Sequence, residues 1–129
     1  MEYVERYREL EVYKGARQLS KDIYLITKSF PREEMYSLTD QIRRSSRSIG
    51  AQIAEAWAKR RYEKHFVSKL TDADGEQQET QHWIETSLDS NYLAVDVAEN
   101  LLKQCSSVGK MLNSMINKSS AFCKPNPNR

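Results

Sequence analysis

A chain of 129 residues, 39% hydrophobic and 29% charged, has the make-up of one ordinary globular domain, long enough to bury a core. With only 4 Gly and 3 Pro, two of those prolines in the last five residues, it lacks the turn chemistry that many short strands require, which excludes an all-β fold. The net charge of +2 excludes little by itself, and no apolar run approaches the ~20 residues of a membrane span.

Residues 1–9 are polar, and the first periodic signal starts at Leu10. Leu10, Val12, Ala16, Leu19, Ile23, Ile26 and Phe30 then recur mostly at alternating four- and three-residue steps, which predicts a helix over 10–30 packed at a shallow angle in a bundle seam. Tyr13 and Tyr24 flank that stripe, and Pro31 is expected to end the helix, because a proline pushes its predecessor out of the α region.

After a short turn, Ser37 and Asp40 have the spacing of a capping box opening a second helix over 37–59. Its buried face is expected to carry Leu38, Ile42, Ser45, Ile49, Gln52 or Ile53, and Ala56. Arg43, Arg44 and Arg47 fall off that face, and Lys59, Arg60, Arg61 and Lys64 crowd its far end.

No Gly or Pro interrupts residues 51–74, so a single helix over 38–88 would be allowed locally. It would be roughly 75 Å long, about twice what a compact domain of this size accommodates. The break is placed at 59–62 rather than at the Asp72–Gly75 turn signal, since Phe66, Leu70, Ala73, Gln77, Thr80 or Gln81, Ile84 and Leu88 keep one register across the latter. Gly75 inside the resulting helix, 62–88, costs about 1 kcal/mol against Ala, which points to something packed closely there. A turn at 89–91 leads to a last helix over 94–119, with Ala98, Leu101, Cys105, Val108, Leu112 and Met115 on one face, and Phe122 near its end. The tail 123–129 is expected to be disordered. Four amphipathic helices with short connections predict an all-α, antiparallel up-down-up-down four-helix bundle. Ser45, Gln52 and Gln77 interrupt its core and are expected to pair with one another.

SLTDQIRRSSRSIGAQIAEAWAKRRYEKHFVSKL, followed by GEQQETQHWIETSL and NYL, and preceded by LEVYKGARQLSKDIYLITKSFPREEMY, resembles the small proteins encoded by intervening sequences within bacterial 23S ribosomal RNA genes. The resemblance covers about residues 10–118 and is most specific at Gln41-Ile42-Arg43-Arg44, Ser48-Ile49, Ile53-Ala54-Glu55 and Glu79-Thr80-Gln81. It implies a four-helix bundle assembled as a homopentamer. It also implies a likeness to the accessory protein of diversity-generating retroelements, a basic pentamer that binds nucleic acid and a reverse transcriptase. Many members carry Gly after the Ala-Glu pair, where this chain has Ala56-Trp57-Ala58, so a less sharp end to the second helix is expected.

Charge is segregated along the chain. Residues 41–69 hold eight Lys/Arg against Glu55 and Glu63, residues 70–100 hold eight acids and no Lys or Arg, and five Lys/Arg with no acid follow. A nucleic-acid face is expected on Arg43, Arg44, Arg47, Lys59, Arg60, Arg61 and Lys64, with RNA or a reverse-transcriptase-like nucleoprotein as partner. The competing expectation pairs these arginines with acids of the third helix, Glu76 and Glu79 included, within or between subunits. Tyr36, Trp57, Phe66 or Val67, Trp83 and Tyr92 remain once the seams are assigned, and are expected to form a homo-oligomer interface.

Catalysis and metals have little support. Glu79-x-x-His82 is half of a di-iron carboxylate signature, but no second copy exists. Cys105 and Cys123 lack CxxC spacing and a neighbouring histidine, as structural thiols of a reducing cytosol would. A non-enzymatic cytoplasmic protein without cofactor or metal is expected.

Overall fold

The computed structural model describes residues 4–123, all of whose regular structure is helical. Four long helices, α1 (Glu11–Thr27), α2 (Leu38–Ala58), α3 (Glu63–Asp89) and α4 (Val95–Asn117), are followed by the short α5 (Ser119–Phe122). Each long helix packs on its two neighbours, α1 on α2 and α4, α3 on α2 and α4, with the diagonal pairs out of contact. This is the antiparallel up-down-up-down bundle that four stripes at a 3.6-residue period demand.

The buried faces follow those stripes. Val12, Ala16, Leu19 and Ile23 of α1 meet Ile42, Ile49 and Ile53 of α2, Phe66, Leu70, Ala73 and Ile84 of α3, and Leu101, Cys105, Val108 and Leu112 of α4 in one core. The two ends are closed by aromatic rings. Phe122 packs 6.3 Å from Trp57 and 6.1 Å from Phe66 at one end, and Phe30 lies 5.4 Å from Tyr92 at the other. The polar residues ahead of Leu10 contribute as well. A single 3-10 turn, Tyr7–Glu9, precedes α1, and the carbonyl of Glu5 accepts a hydrogen bond from Trp57 Nε1 at 3.1 Å. The expected disordered tail lies, beyond Cys123, outside the described residues.

Several local expectations are corrected. Helix α1 stops at Thr27, three residues short of Phe30: the Ser29 and Phe30 amides donate to the Ile26 and Thr27 carbonyls (3.3 and 3.1 Å), and this tighter turn lets Phe30 tuck inward ahead of Pro31. The Ser37–Asp40 capping box does not form. Ser37 sits at φ −129°, ψ −108°, outside the extended geometry an N-cap needs, and makes no cap bond. Instead the Leu38 amide points at Glu34 Oε1 (3.5 Å), a carboxylate held in place by the Tyr92 hydroxyl, which donates to Glu34 Oε2 at 2.9 Å.

The long helix breaks at 59–62, and α3 runs through Gly75 without interruption. Nothing lies within 4 Å of where a Gly75 Cβ would stand, so the close packing expected there is absent. Close approach occurs at Gly109 instead, where a Cβ would fall 2.8 Å from Gln77 Nε2. Ser45, Gln52 and Gln77 do not pair together either. The hydroxyls of Ser45 and Thr80 meet at 2.9 Å across α2 and α3, Gln77 is bonded along its own helix to Asp74 and Gln81, and Gln52 Oε1 is buried with no donor among the described residues. Side-chain reach explains this: two short hydroxyls span a close helix crossing that a glutamine would overfill.

Helix α3 ends in a Schellman motif. The Tyr92 amide donates to the Ser87 carbonyl (2.9 Å), the Asn91 amide to that of Leu88 (3.0 Å), and Asn91 adopts φ 61°. Asparagine tolerates that left-handed conformation, so no glycine is needed at this turn.

Candidate nucleic-acid interface

The arginines expected to act as one basic face form two groups at opposite ends of α2. Arg47 and Lys59 are twelve residues apart, about 18 Å along the helix axis. The first group is assembled by the antiparallel register of α1 and α2, which brings the last turns of α1 beside the first turns of α2. There Lys28 Nζ lies 5.0 Å from the centre of the Tyr24 ring, the Arg43 guanidinium 4.9 Å and the Arg47 guanidinium 5.4 Å. Tyr24 and Lys28 were absent from the sequence-based face. Their signal is an aromatic residue and a lysine one turn apart, and only the pairing of α1 with α2 joins them to the Arg43–Arg47 pair.

Arg43 is the fixed member. It is half-buried, and its Nε donates to the buried Thr27 hydroxyl at 2.9 Å, leaving the terminal nitrogens of the guanidinium for other partners. Arg47, Lys28 and Tyr24 are exposed. The ring distances place each pair of these three cations within about 10 Å of one another, where repulsion costs roughly 0.4 kcal/mol or more per pair in water. Cation–π attraction of about 0.5–1 kcal/mol per contact is enough to hold them together. None of it cancels their charge. Among the described residues the ion pairs are Lys14–Glu11, Arg44–Asp40 and Lys69–Glu55, and none includes Lys28, Arg43 or Arg47.

Arg44 behaves differently. It lies 3.7 Å from Asp40 in an exposed pair, a geometry worth little to stability. It also draws down the pKa of Glu76, which burial, and then its neighbours Glu79 and Asp72, push above the ordinary carboxylate range. Within one chain, the expected pairing of helix-two arginines with acids of α3 is limited to this weak attraction, and Arg43 and Arg47 turn the other way, towards α1.

The second group surrounds the α2–α3 turn. Arg60 lies on the Trp57 ring at 3.7 Å and donates from Nε to the Trp57 carbonyl (2.9 Å), so it covers an aromatic end of the core. Lys59, Arg61 and Lys64 are exposed. Helix α2 ends cleanly without the family's glycine, since the Lys59 amide still reaches the Glu55 and Ala56 carbonyls at 3.2 and 3.0 Å.

The residues expected at an oligomer interface also divide. Trp57 and Phe66 are corrected: they are 7% and 0% exposed and belong to the core, because Phe122 and the segment before α1 close over that end of the bundle. Trp83, Val67 and Tyr92 are half-buried, and the Trp83 indole N–H is buried with no acceptor among the described residues. Tyr36 is 95% exposed and follows the exposed Met35 in the α1–α2 turn.

His82 packs against Trp83 with ring centres 4.6 Å apart, and both it and Glu79 are exposed. No group of three or more His, Cys, Asp or Glu side chains suited to a metal occurs among the described residues. Burial pushes the Cys105 thiol up to about 12, which keeps it protonated and unreactive at neutral pH. No helix of the described residues is long and apolar enough to cross a membrane.

A four-helix bundle with cations gathered on one outer seam and acids along another helix defines a basic-faced helical scaffold. Residues 8–114 match the family described as 23S rRNA-intervening sequence protein, and the chain belongs to that family. A crystal structure of a protein with unknown function from the S23 ribosomal protein family of Bacteroides thetaiotaomicron is similar, with a TM-score of 0.74 and 26% identity over 82% of this chain and 95% of that one. No curated protein matches the chain.

Proposed function

We propose that this protein is a non-enzymatic, cytoplasmic RNA-binding member of its family, and that RNA phosphates are held at the Tyr24 cluster by Lys28, Arg43 and Arg47. The observation that carries this reading is the gathering of three cations on one part-exposed tyrosine ring, none of them in an ion pair among the described residues. A phosphate removes the mutual repulsion and uses the guanidinium nitrogens that Thr27 leaves open. Lys59, Arg61 and Lys64 form a second, weaker contact for a longer strand.

The test is binding of a fluorescently labelled RNA to the wild type and to Arg43→Gln/Arg47→Gln across a salt series. Loss of two phosphate contacts lowers the slope of log affinity against log salt by about 1.4 for a single strand. Unchanged affinity and slope, with a normal melting temperature, overturn the proposal. The alternative is a structural scaffold built from copies of the chain, a homopentamer by resemblance, favoured by Tyr36 and Met35 standing in solvent. In that case the same double substitution changes assembly and leaves RNA binding as weak as before.

A further inference from the structure

Resting on the RNA reading above, we infer that the ligand is single-stranded and lies along the outer face of α1, in a groove between Arg8 and Lys21 that continues into the Tyr24 cluster. The groove has a volume of about 520 Å³ and is lined by Arg8, Tyr13, Lys14, Arg17, Gln18, Ser20 and Lys21, four cations and no carboxylate. Lys14 pairs with Glu11 at 3.3 Å, while Arg8, Arg17 and Lys21 make no ion pair among the described residues.

The groove and the cluster are one surface. Arg17, Lys21, Tyr24 and Lys28 follow one another at steps of four, three and four, which puts them on a single face of α1. Asp22, the acid within this run of α1, is held by amides on both sides: Oδ2 accepts from Gln104 of α4 at 3.1 Å, and Oδ1 from Gln18 at 2.9 Å. Arg17, Lys21 and Lys28 line this face, Arg8 and Lys14 extend it towards the start of α1, where Glu11 is paired with Lys14, and Arg43 and Arg47 widen it from α2.

Aromatic rings accompany the charge. Tyr13 accepts a hydrogen bond from Arg17 Nη1 at 3.2 Å and packs edge-on to Tyr7, whose ring carries Arg8 at 4.7 Å. Tyr13 and Tyr24 stand about 17 Å apart along the helix axis. Cations alternating with tyrosines on one line match a strand whose bases are free to stack, and a duplex keeps its base faces inside its own stack.

The experiment measures anisotropy of a labelled RNA dodecamer, single-stranded or annealed to its complement, with thermal melting of each variant as the check on folding. The wild type is expected to bind the single strand more tightly than the duplex. Arg17→Gln/Lys21→Gln is expected to weaken single-strand binding roughly ten-fold and lower its salt slope by about 1.4, while Arg17→Lys retains the wild-type slope. Tyr24→Leu is expected to weaken the single strand roughly ten-fold and the duplex much less, since the duplex loses only the ordering of the cations and no stacking. Lys21→Gln alone, at an exposed position, gives the reading if the double variant melts early. Equal binding of duplex and single strand, or loss of binding on changing Arg43 and Arg47 with no effect of changing Arg17 and Lys21, overturns this inference and leaves the RNA reading standing. Indifference to both pairs overturns the two together.

Discussion

Glu76 shows how a single side chain can be held against its own preference. Burial and the proximity of Glu79 and Asp72 raise its carboxyl above the ordinary 4.5, and Arg44 offsets this only in part. A group whose folded pKa is raised contributes its full stability below the unfolded value and loses it as pH rises through the folded value. At neutral pH the ionised Glu76 is therefore a net burden. Glu76→Gln is expected to raise the melting temperature at pH ~7, and the gain should vanish in acid below about 4, where the wild-type carboxyl is itself protonated. A gain that persists unchanged in acid would show that charge is not the cause. Cys105 follows the same sign at the alkaline end: its contribution is lost between about 9 and about 12, the ordinary and the raised values.

At the scale of the helices, two glycines with the same intrinsic cost have opposite roles. Gly75 faces open space in the middle of α3, so Gly75→Ala is expected to stabilise by about 0.5–1 kcal/mol through helix propensity alone. Gly109 of α4 lies under the amide of Gln77, which is 5% exposed and tied to Asp74 and Gln81. An added methyl must displace that amide, at a cost of roughly 1–3 kcal/mol, which outweighs the propensity gain. Gly109→Ala should accordingly lower stability in urea unfolding. Equal stabilisation by both substitutions would mean that Gln77 moves aside freely. The connections carry similar information. Glu34 serves α2 from outside the helix because Tyr92 of the α3–α4 turn holds it there, so the two turns at that end of the bundle depend on each other.

At the scale of the whole molecule the charge pattern sets what can meet it. Cations line the α1–α2 seam while Asp72, Asp74, Glu76 and Glu79 belong to α3, so an RNA and a second copy of the chain need not compete for the same surface. If the scaffold reading contributes, Tyr36 and Met35 stand with Leu25, Tyr62 and Val95 among the exposed apolar residues that can take part, Tyr36 being the most exposed. Light scattering is expected to show a mass several times that of one chain for the wild type, and a smaller species for Met35→Asp/Tyr36→Asp. A wild type that runs as one chain at all concentrations would leave self-assembly without support.

The amino-acid sequence by itself determined the helices, their inward faces and the break near residue 60. Each follows from a local quantity: the 3.6-residue recurrence of apolar side chains, and a length beyond which a helix outgrows its own core. Only the tertiary structure decided that Trp57 is a core residue, that Phe66 keeps to the inward stripe of α3 rather than an interface, and that Glu34 stands in for Ser37. It also decided that Gln77 needs Gly109, and that Tyr24 collects Lys28, Arg43 and Arg47. These outcomes depend on the offset at which two antiparallel helices settle against each other. That offset is chosen by the packing of the entire core, and no stretch of a single helix encodes it.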